Sequence, residues 1–459
     1  MDLHLDIDGA PGRSLRARVT HALREAVCDG RLAYGTRLPS TRTLGVQLGV
    51  SRGVVVDAYA QLASEGYLRT RHGGGTTVAL EVSPTKPPPP SRTKTPVIRY
   101  DMSPFRAALD GFPRTAWAAA TTRVLRRVPD ERLDYPDPAG TPELRSALAA
   151  YLGRARGVRA DPAQIIITSG LRQGVELLWH ILATQSARRV AVENPGWRGI
   201  RETATTAGLQ VVSVDVDEDG LIVERLHNEQ VDAVALAPAH QYPTGAVLSP
   251  ARRGELLAWA REGDGLIVED DYDAEYRYDR RPVGSLQGLE PERVIYGGST
   301  SKTLAPALRL GWLIVPQRLT QPLAALQHKR GGMPSSLGQL TLAEMIDHGD
   351  LDRHLHRQRR RYKHQREELL AALAAELPDV SVHGAAAGLY VVLHLPDHLD
   401  EHTVLTIARA NGIALEGLDG PNPRLVIGYA NLTPATIKTA VAMLATSIRE
   451  AEDGPSATA

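Results

Sequence analysis

Lys302 stands in Ser299-Thr300-Ser301-Lys302-Thr303-Leu304-Ala305-Pro306-Ala307-Leu308-Arg309, a lysine among hydroxyls with an arginine seven positions on. A neutral lysine amine adds to a carbonyl to form a Schiff base, so its pKa, about 10.4 when unperturbed, must be lowered by cationic or desolvated surroundings. Arg309 is placed to supply the charge, and the Ser299 and Ser301 hydroxyls are suited to a phosphate beside it. Taken alone, the stretch reads as a solvated loop. Two other stretches change that reading. After Ile165-Ile166-Ile167 comes Thr168-Ser169-Gly170-Leu171-Arg172-Gln173, a small-residue turn opening a helix and hence a ready anion site. After Leu266 to Val268 comes Glu269-Asp270-Asp271-Tyr272-Asp273. Four acids at the end of a buried strand are costly unless they bind something cationic. Magnesium or calcium is one option, but no phosphate-loop or calcium-loop spacing accompanies them. A carboxylate facing a protonated pyridine nitrogen fits better, and no metal site is expected.

These residues need a scaffold that brings strand ends together. From about Pro104 the chain alternates β-rich runs with helical patterns: Ile165 to Thr168, Arg189 to Val192, Leu209 to Val214, Val231 to Leu236, Leu266 to Val268, Val294 to Tyr296 and Leu310 to Val315. Such alternation predicts a mostly parallel α/β sheet covered on both faces, with ligands at the carboxyl ends of its strands. His354 to Arg366 is basic and histidine-rich, but it leads into Leu369, Leu370 and Leu373 at helical spacing and reads as a structural helix.

The first eighty residues have a different pattern. Leu15, Val19, Ala22, Leu23, Ala26 and Val27 recur at helical spacing in a helix expected over 15–32. Ser40 and Ser51 are N-caps for two shorter helices, and Gly66 to Val78 reads as two strands around a glycine turn. Together these predict a winged helix-turn-helix, mostly α. Residues 81–99, with Pro87 to Pro90, read as an extended linker, and 453–459 as a polar tail. The expected domains are therefore 1–80, and 100–452 with a small subdomain at about 350–450.

Composition narrows the choice further. The net charge is +0 over 459 residues, so the whole-chain balance points to neither nucleic acid nor membrane, yet residues 1–80 hold ten arginines against seven acids. Cys28 is the only cysteine, which excludes an intrachain disulfide and is read as a small buried residue. The acidic N-terminus and the absence of a long apolar run lead to the expectation of a cytoplasmic protein without membrane contact.

Residues 13–79 resemble the GntR family of bacterial regulators through Leu38-Pro39-Ser40-Thr41-Arg42, Ser51-Arg52 and the glycine-rich wing. The resemblance implies that Arg42, Ser51 and Arg52 approach phosphates and base edges of double-stranded DNA. It places Arg69, Arg71, Gly74 and Thr76 at the wing's contact. Where the family often has a further arginine in its recognition helix, this chain has Val54-Val55-Val56.

Residues 100–450 resemble fold-type I pyridoxal-phosphate enzymes of the aspartate aminotransferase family. That resemblance implies pyridoxal 5'-phosphate as cofactor, with Lys302 as its Schiff-base lysine, Asp270 as partner of the pyridine nitrogen and Tyr272 on the ring oxygen. Ser169, Gly170, Leu171, Ser299, Ser301 and Arg309 resemble the phosphate cup, and Trp197 the aromatic stacked on the ring. Tyr135 resembles a residue that crosses a dimer interface to the partner's phosphate, and Arg424 one that forks a substrate carboxylate. Tyr242-Pro243-Thr244-Gly245 departs from the family's asparagine-proline-x-glycine, which leaves Gln241 or His240 to replace the asparagine.

A GntR-like head joined to an aminotransferase-like body is similar to the MocR family, and within it to the PdxR-type regulators of vitamin B6 biosynthesis. The resemblance implies a homodimer, often with each head against the other subunit's body, that senses pyridoxal phosphate, an amine or an amino acid. The rival reading is an aminotransferase that has gained a DNA-binding head.

Overall fold

The computed structural model describes all residues except 1, 2, 4, 8, 72–73, 82–96, 279–282, 385, 419–421 and 454–459. Most of the expected linker, wing residue Gly73 and the polar tail beyond 453 therefore lie outside the described residues. The chain divides into two compact units, Met1–Lys94 and Thr95–Ala459.

In the smaller unit, serine side chains set where each helix begins. Ser14 opens α1 (Leu15–Cys28), Ser40 opens α2 (Thr41–Gln47) by accepting from the Thr43 amide at 3.1 Å, and Ser51 opens α3 (Arg52–Ser64) by accepting from the Val54 amide. Each cap satisfies an amide that the helix leaves unpaired. Gly49, at φ 64, lies between α2 and α3, where the left-handed conformation turns the chain. β1 (Leu68–Arg71) and β2 (Gly75–Val78) pair antiparallel as the wing, with Arg69 opposite Thr77.

Two expectations fail here. Helix α1 stops at Cys28 rather than continuing to Leu32, because Gly30 at φ 75 turns the chain and the Leu32 amide folds back onto the Ala26 carbonyl. Cys28 is exposed: Ala26 and Val27 take the core positions, leaving the last helical residue outside.

Val19, Leu23, Leu44, Val55, Leu62, Leu68 and Val78 form one core. Leu62 is fully buried within it. Leu62→Ala is expected to cost about 2–5 kcal/mol and to lower the melting transition of this unit, read by calorimetry. The transition of the larger unit should stay in place, since its core is separate.

The larger unit is built on β3 (Ile165–Thr168), β4 (Arg189–Asn194), β5 (Gln210–Asp217), β6 (Gly220–Leu221), β7 (Ala233–Leu236), β8 (Leu266–Asp270), β9 (Val294–Ser299) and β10 (Gly311–Ile314). They form one sheet in the order β3-β10-β9-β8-β7-β4-β5-β6. The pairs β4/β5, β4/β7, β7/β8 and β8/β9 are parallel, whereas β10 runs antiparallel to both β9 and β3. Residues 300–310 are too short a connection for the crossover that a parallel neighbour needs, so β10 must return. Lys302 sits in that return.

Val192, Ala235, Val268 and Ile295 pack on one side of the sheet, while Ala191, Val234, Ile267 and Val294 pack on the other. Burial of both faces explains why these strands are continuous apolar runs rather than alternating ones. A second sheet, in the order β11 (Ser381–His383), β12 (Tyr390–His394), β14 (Arg424–Gly428) and β13 (Glu416–Gly417), follows the 27-residue helix Asp350–Glu376. No helix among the described residues is long and apolar enough to cross a membrane.

Candidate functional site

The return loop is tied at three points. Thr300 donates through its amide and hydroxyl to the Leu310 carbonyl, the Tyr276 hydroxyl to the Lys302 carbonyl at 3.2 Å, and His354 Nε2 bonds the Thr303 carbonyl at 2.8 Å. His354, at the start of the basic, histidine-rich stretch, is thus a buried anchor for the lysine loop. Arg309 adopts φ 51 at the end of this loop, which turns its side chain back to the cavity.

The cavity, of about 190 Å³, is lined by Lys302, Asp270, Tyr272, Trp197, Ser169, Gly170, Leu171, Ser299, Ser301 and Arg309. Ten side chains and backbone positions singled out in the sequence therefore meet in one place. Gly170 has no side chain to cap α4 (Leu171–Thr184), so the first-turn amides of that helix are left for another acceptor, and a Cβ at Gly170 would stand 3.9 Å from Arg309 Nη1. Trp197 precedes α5 (Arg198–Thr206) and packs over Gly199, where a Cβ would come within 2.5 Å of its ring.

Lys302 Nζ donates to the Phe105 carbonyl at 3.0 Å and stands 4.9 Å from the Phe105 ring centre. Burial pushes its pKa down to about 8, opposed by the charges of Asp273 and then Asp270. Asp270 is pushed up to about 8, first by burial and then by Asp271 and Asp273. Its Oδ1 is buried without a hydrogen-bond partner. A carboxyl raised by burial ionises when a cation is set against its free oxygen, so the donor set fits a protonated ring nitrogen.

The strand period separates the other acids. Glu269 accepts from the Leu286 and Gln287 amides at 3.0 Å each. Asp271 accepts from Arg156 Nε at 2.7 Å and the Tyr296 hydroxyl at 2.6 Å, and Asp273 lies 2.9 Å from His240 Nδ1. Protein groups answer three of the four acids, which narrows the expectation of a shared cationic ligand to Asp270. Among the described residues no group of three or more His, Cys, Asp or Glu has metal-holding geometry.

Tyr242 lines the cavity where an asparagine was missed, and its hydroxyl donates to Glu416 Oε2 at 3.1 Å. Neither suggested substitute reaches the cavity. Gln241 is engaged elsewhere, with the Pro195 carbonyl after β4 and with the amide and hydroxyl of Thr244. His240 is buried beside Asp273.

Two expected residues stand apart from the cavity. Tyr135 is 89% exposed and borders a separate groove with Met333 and Ser335. Arg424 opens β14 outside the lining, with its Nε buried and unpartnered. Val426, two positions on and on the same strand face, packs with Tyr390, Tyr242 and Tyr272.

Sequence reasoning missed Phe105, Glu193 and Tyr242 as lining residues. Glu193 carried a signal, an acid ending an apolar strand; burial pushes it up to about 8 while the Ala237 amide bonds its carboxylate. Phe105 carried none, since it lies far from the strand ends in sequence.

On the smaller unit, Arg42, Ser51, Arg52, Arg69, Arg71 and Gly74 are exposed. Thr76 is not: it is buried, with its hydroxyl 3.3 Å from that of Thr70, because its β2 position faces the core. Arg37 was overlooked. It is exposed, bridges to Thr77, and its guanidinium would meet a Cβ at Gly75 within 3.1 Å.

The model of gntR-family bacterial regulatory proteins matches residues 15–78, and that of class I and II aminotransferases matches residues 107–444. The HTH-type pyridoxine biosynthesis transcriptional regulator PdxR of Corynebacterium glutamicum is 33% identical over 458 residues, covering 97% of this chain and 99% of that protein. The probable rhizopine catabolism regulatory protein MocR of Rhizobium meliloti is 31% identical, covering 91% and 90%. This chain belongs to the MocR family of transcription regulators. The MocR-type body has the aminotransferase fold. It matches Pyrococcus horikoshii kynurenine aminotransferase, solved with PMP, with a TM-score of 0.70 and 25% identity over 78% of this chain and 92% of that one. The expected combination of GntR-like head and fold-type I body is thereby met.

Proposed function

We propose that this MocR-family regulator binds pyridoxal 5'-phosphate in the Lys302 cavity and changes its DNA binding in response, controlling genes of vitamin B6 biosynthesis. The observation that carries the reading is the buried pair of Lys302, held near its reactive state, and Asp270, with a free Oδ1, in one cavity. The Corynebacterium relative's role as a pyridoxine biosynthesis regulator supports the target.

Bound pyridoxal phosphate supplies an aldehyde for an amine and a ring that accepts electrons. Lys302 is the amine that attaches to it, and Asp270 holds a proton on the ring nitrogen. Tyr272 donates its hydroxyl to the ring oxygen, and Trp197 covers the ring face. The α4 amides at Gly170 and Leu171, with Ser169, Ser299, Ser301 and Arg309, hold the phosphate. Tyr135, exposed on its own chain, completes the site of a second copy in a homodimer. Arg42, Ser51, Arg52, Arg69, Arg71 and Gly74 bear on double-stranded DNA, with Thr76 shaping the wing from within.

The unpartnered Nε of Arg424 favours a second reading, in which the effector is an amino acid whose carboxylate that arginine forks. The test is binding of the purified protein to DNA upstream of its own gene, at fixed salt and against nonspecific competitor, with and without pyridoxal phosphate. Specific binding altered by pyridoxal phosphate supports the first reading. Specific binding altered only by an amino acid supports the second, and turnover of amino donor without specific DNA binding favours an aminotransferase.

A further inference from the structure

His240 is 3% exposed, and its ring lies near-parallel to those of Tyr272 and Tyr390, at 6.0 and 5.2 Å between centres. Its Nδ1 is 2.9 Å from Asp273 Oδ2 and 3.1 Å from the Tyr272 hydroxyl. One ring nitrogen either carries a proton and donates, or lacks one and accepts. It therefore cannot donate to the carboxylate and accept from the phenol together. Asp273 is 2% exposed, and as a carboxylate it only accepts, so the Nδ1 proton belongs to Asp273.

The consequence falls on Tyr272, which lines the Lys302 cavity. With Nδ1 protonated, the Tyr272 hydroxyl has no acceptor in His240. Its other neighbour, the Tyr390 hydroxyl at 3.1 Å, donates its own proton to the Gln241 carbonyl, and a neutral phenol oxygen is a weak competitor for a ligand oxygen. Gly388, at φ 72, closes the pair from behind: a Cβ there would come within 2.2 Å of His240 Cε1 and 2.6 Å of Asp273 Oδ2. The groups acting on this cluster are Tyr272 and Tyr390 on the imidazole, with Asp271 and Lys302 acting on Asp273.

We infer that Asp273 is a positioning residue acting through His240: by accepting from its Nδ1–H it denies the Tyr272 hydroxyl an acceptor there, and so leaves that hydroxyl to donate into the Lys302 cavity, toward an oxygen of the bound ligand. The inference rests on the cofactor reading above, which already gives Tyr272 its ligand oxygen, and adds the part that Asp273 and His240 play in leaving the hydroxyl free for it.

The experiment follows the visible absorbance of the full-length protein loaded with pyridoxal phosphate, titrated with pH. Tyr272→Phe removes the donated hydrogen bond and is expected to raise the titration midpoint by about one unit. In an Asp273→Ala background Nδ1 is free to give up its proton and accept from the Tyr272 hydroxyl, so the same substitution should move the midpoint by less than about 0.3 unit. In a combined Asp273→Ala and His240→Phe background, where no ring nitrogen remains to accept, the shift of about one unit should return. If Asp273→Ala does not fold, Asp273→Asn, whose amide is able to donate to Nδ1, takes its place.

A Tyr272→Phe shift of equal size with and without the Asp273 carboxylate overturns the inference, as does the absence of any shift in the otherwise native protein. A native protein that stays colourless with pyridoxal phosphate overturns the cofactor reading itself, and this inference with it.

Discussion

Lys302→Ala protein is expected to retain no pyridoxal phosphate through gel filtration and to show no visible band, and borohydride should trap no cofactor on it. The native protein should be trapped at Lys302. Covalent attachment needs a nucleophilic amine, and no other lysine lines the cavity among the described residues. Retention is expected to fall by about 100-fold or more, with noncovalent binding as the remainder.

The pH dependence has a definite sign. A lysine amine lowered to about 8 is protonated below that value and neutral above it. The rate of attachment in native protein should rise about tenfold for each unit up to pH 8 and then level off. An unperturbed lysine would still be climbing at pH 10. A rate still climbing past pH 9, or a coloured Lys302→Ala protein, would remove Lys302 from its proposed part. The regulatory consequence is read in the same variant, whose specific DNA binding should persist but no longer respond to added cofactor.

The second large effect is expected at the smaller unit. Arg42→Ala combined with Arg52→Ala should weaken operator binding by about 100-fold or more, since each arginine bears on phosphate or base at about 1–3 kcal/mol. Arg42 is the second residue of α2 and Arg52 the first of α3, and both are exposed. The slope of log affinity against log salt should fall by about two if both meet phosphates. An unchanged slope with lost sequence preference would mean that they read bases instead. Neither arginine packs in the core, so the melting transition should hold. Native operator affinity in the double variant would move the DNA surface elsewhere, with Arg37 and the wing arginines tested next.

Much of this architecture was legible because it is set by short-range chemistry. Serines at the first position before a helix announce their role wherever they occur, and the α2 and α3 caps stand where Ser40 and Ser51 predicted. Apolar runs long enough to be buried on both faces announce a covered sheet, and the residues at their carboxyl ends have nowhere to project but the rim. Asp270 and the Ser169-Gly170-Leu171 turn were found that way, and Lys302 from the hydroxyls and the arginine around it. They line a single cavity.

What the local pattern did not determine was direction and distant company. A run of four acids looks uniform as letters, yet pleating sends Asp270 into the cavity while its neighbours meet Arg156, Tyr296 and backbone amides. Thr76 turns inward for the same reason of strand period. Phe105 reaches Lys302 across 197 residues, and Tyr390 reaches Gln241 across 149. Such contacts depend on strand order and on how the second sheet packs, which nearest-neighbour chemistry does not encode. The sequence by itself determined which residues are able to do this chemistry. Only the tertiary structure decided which of them face each other and which hydrogen bond each one is left free to make.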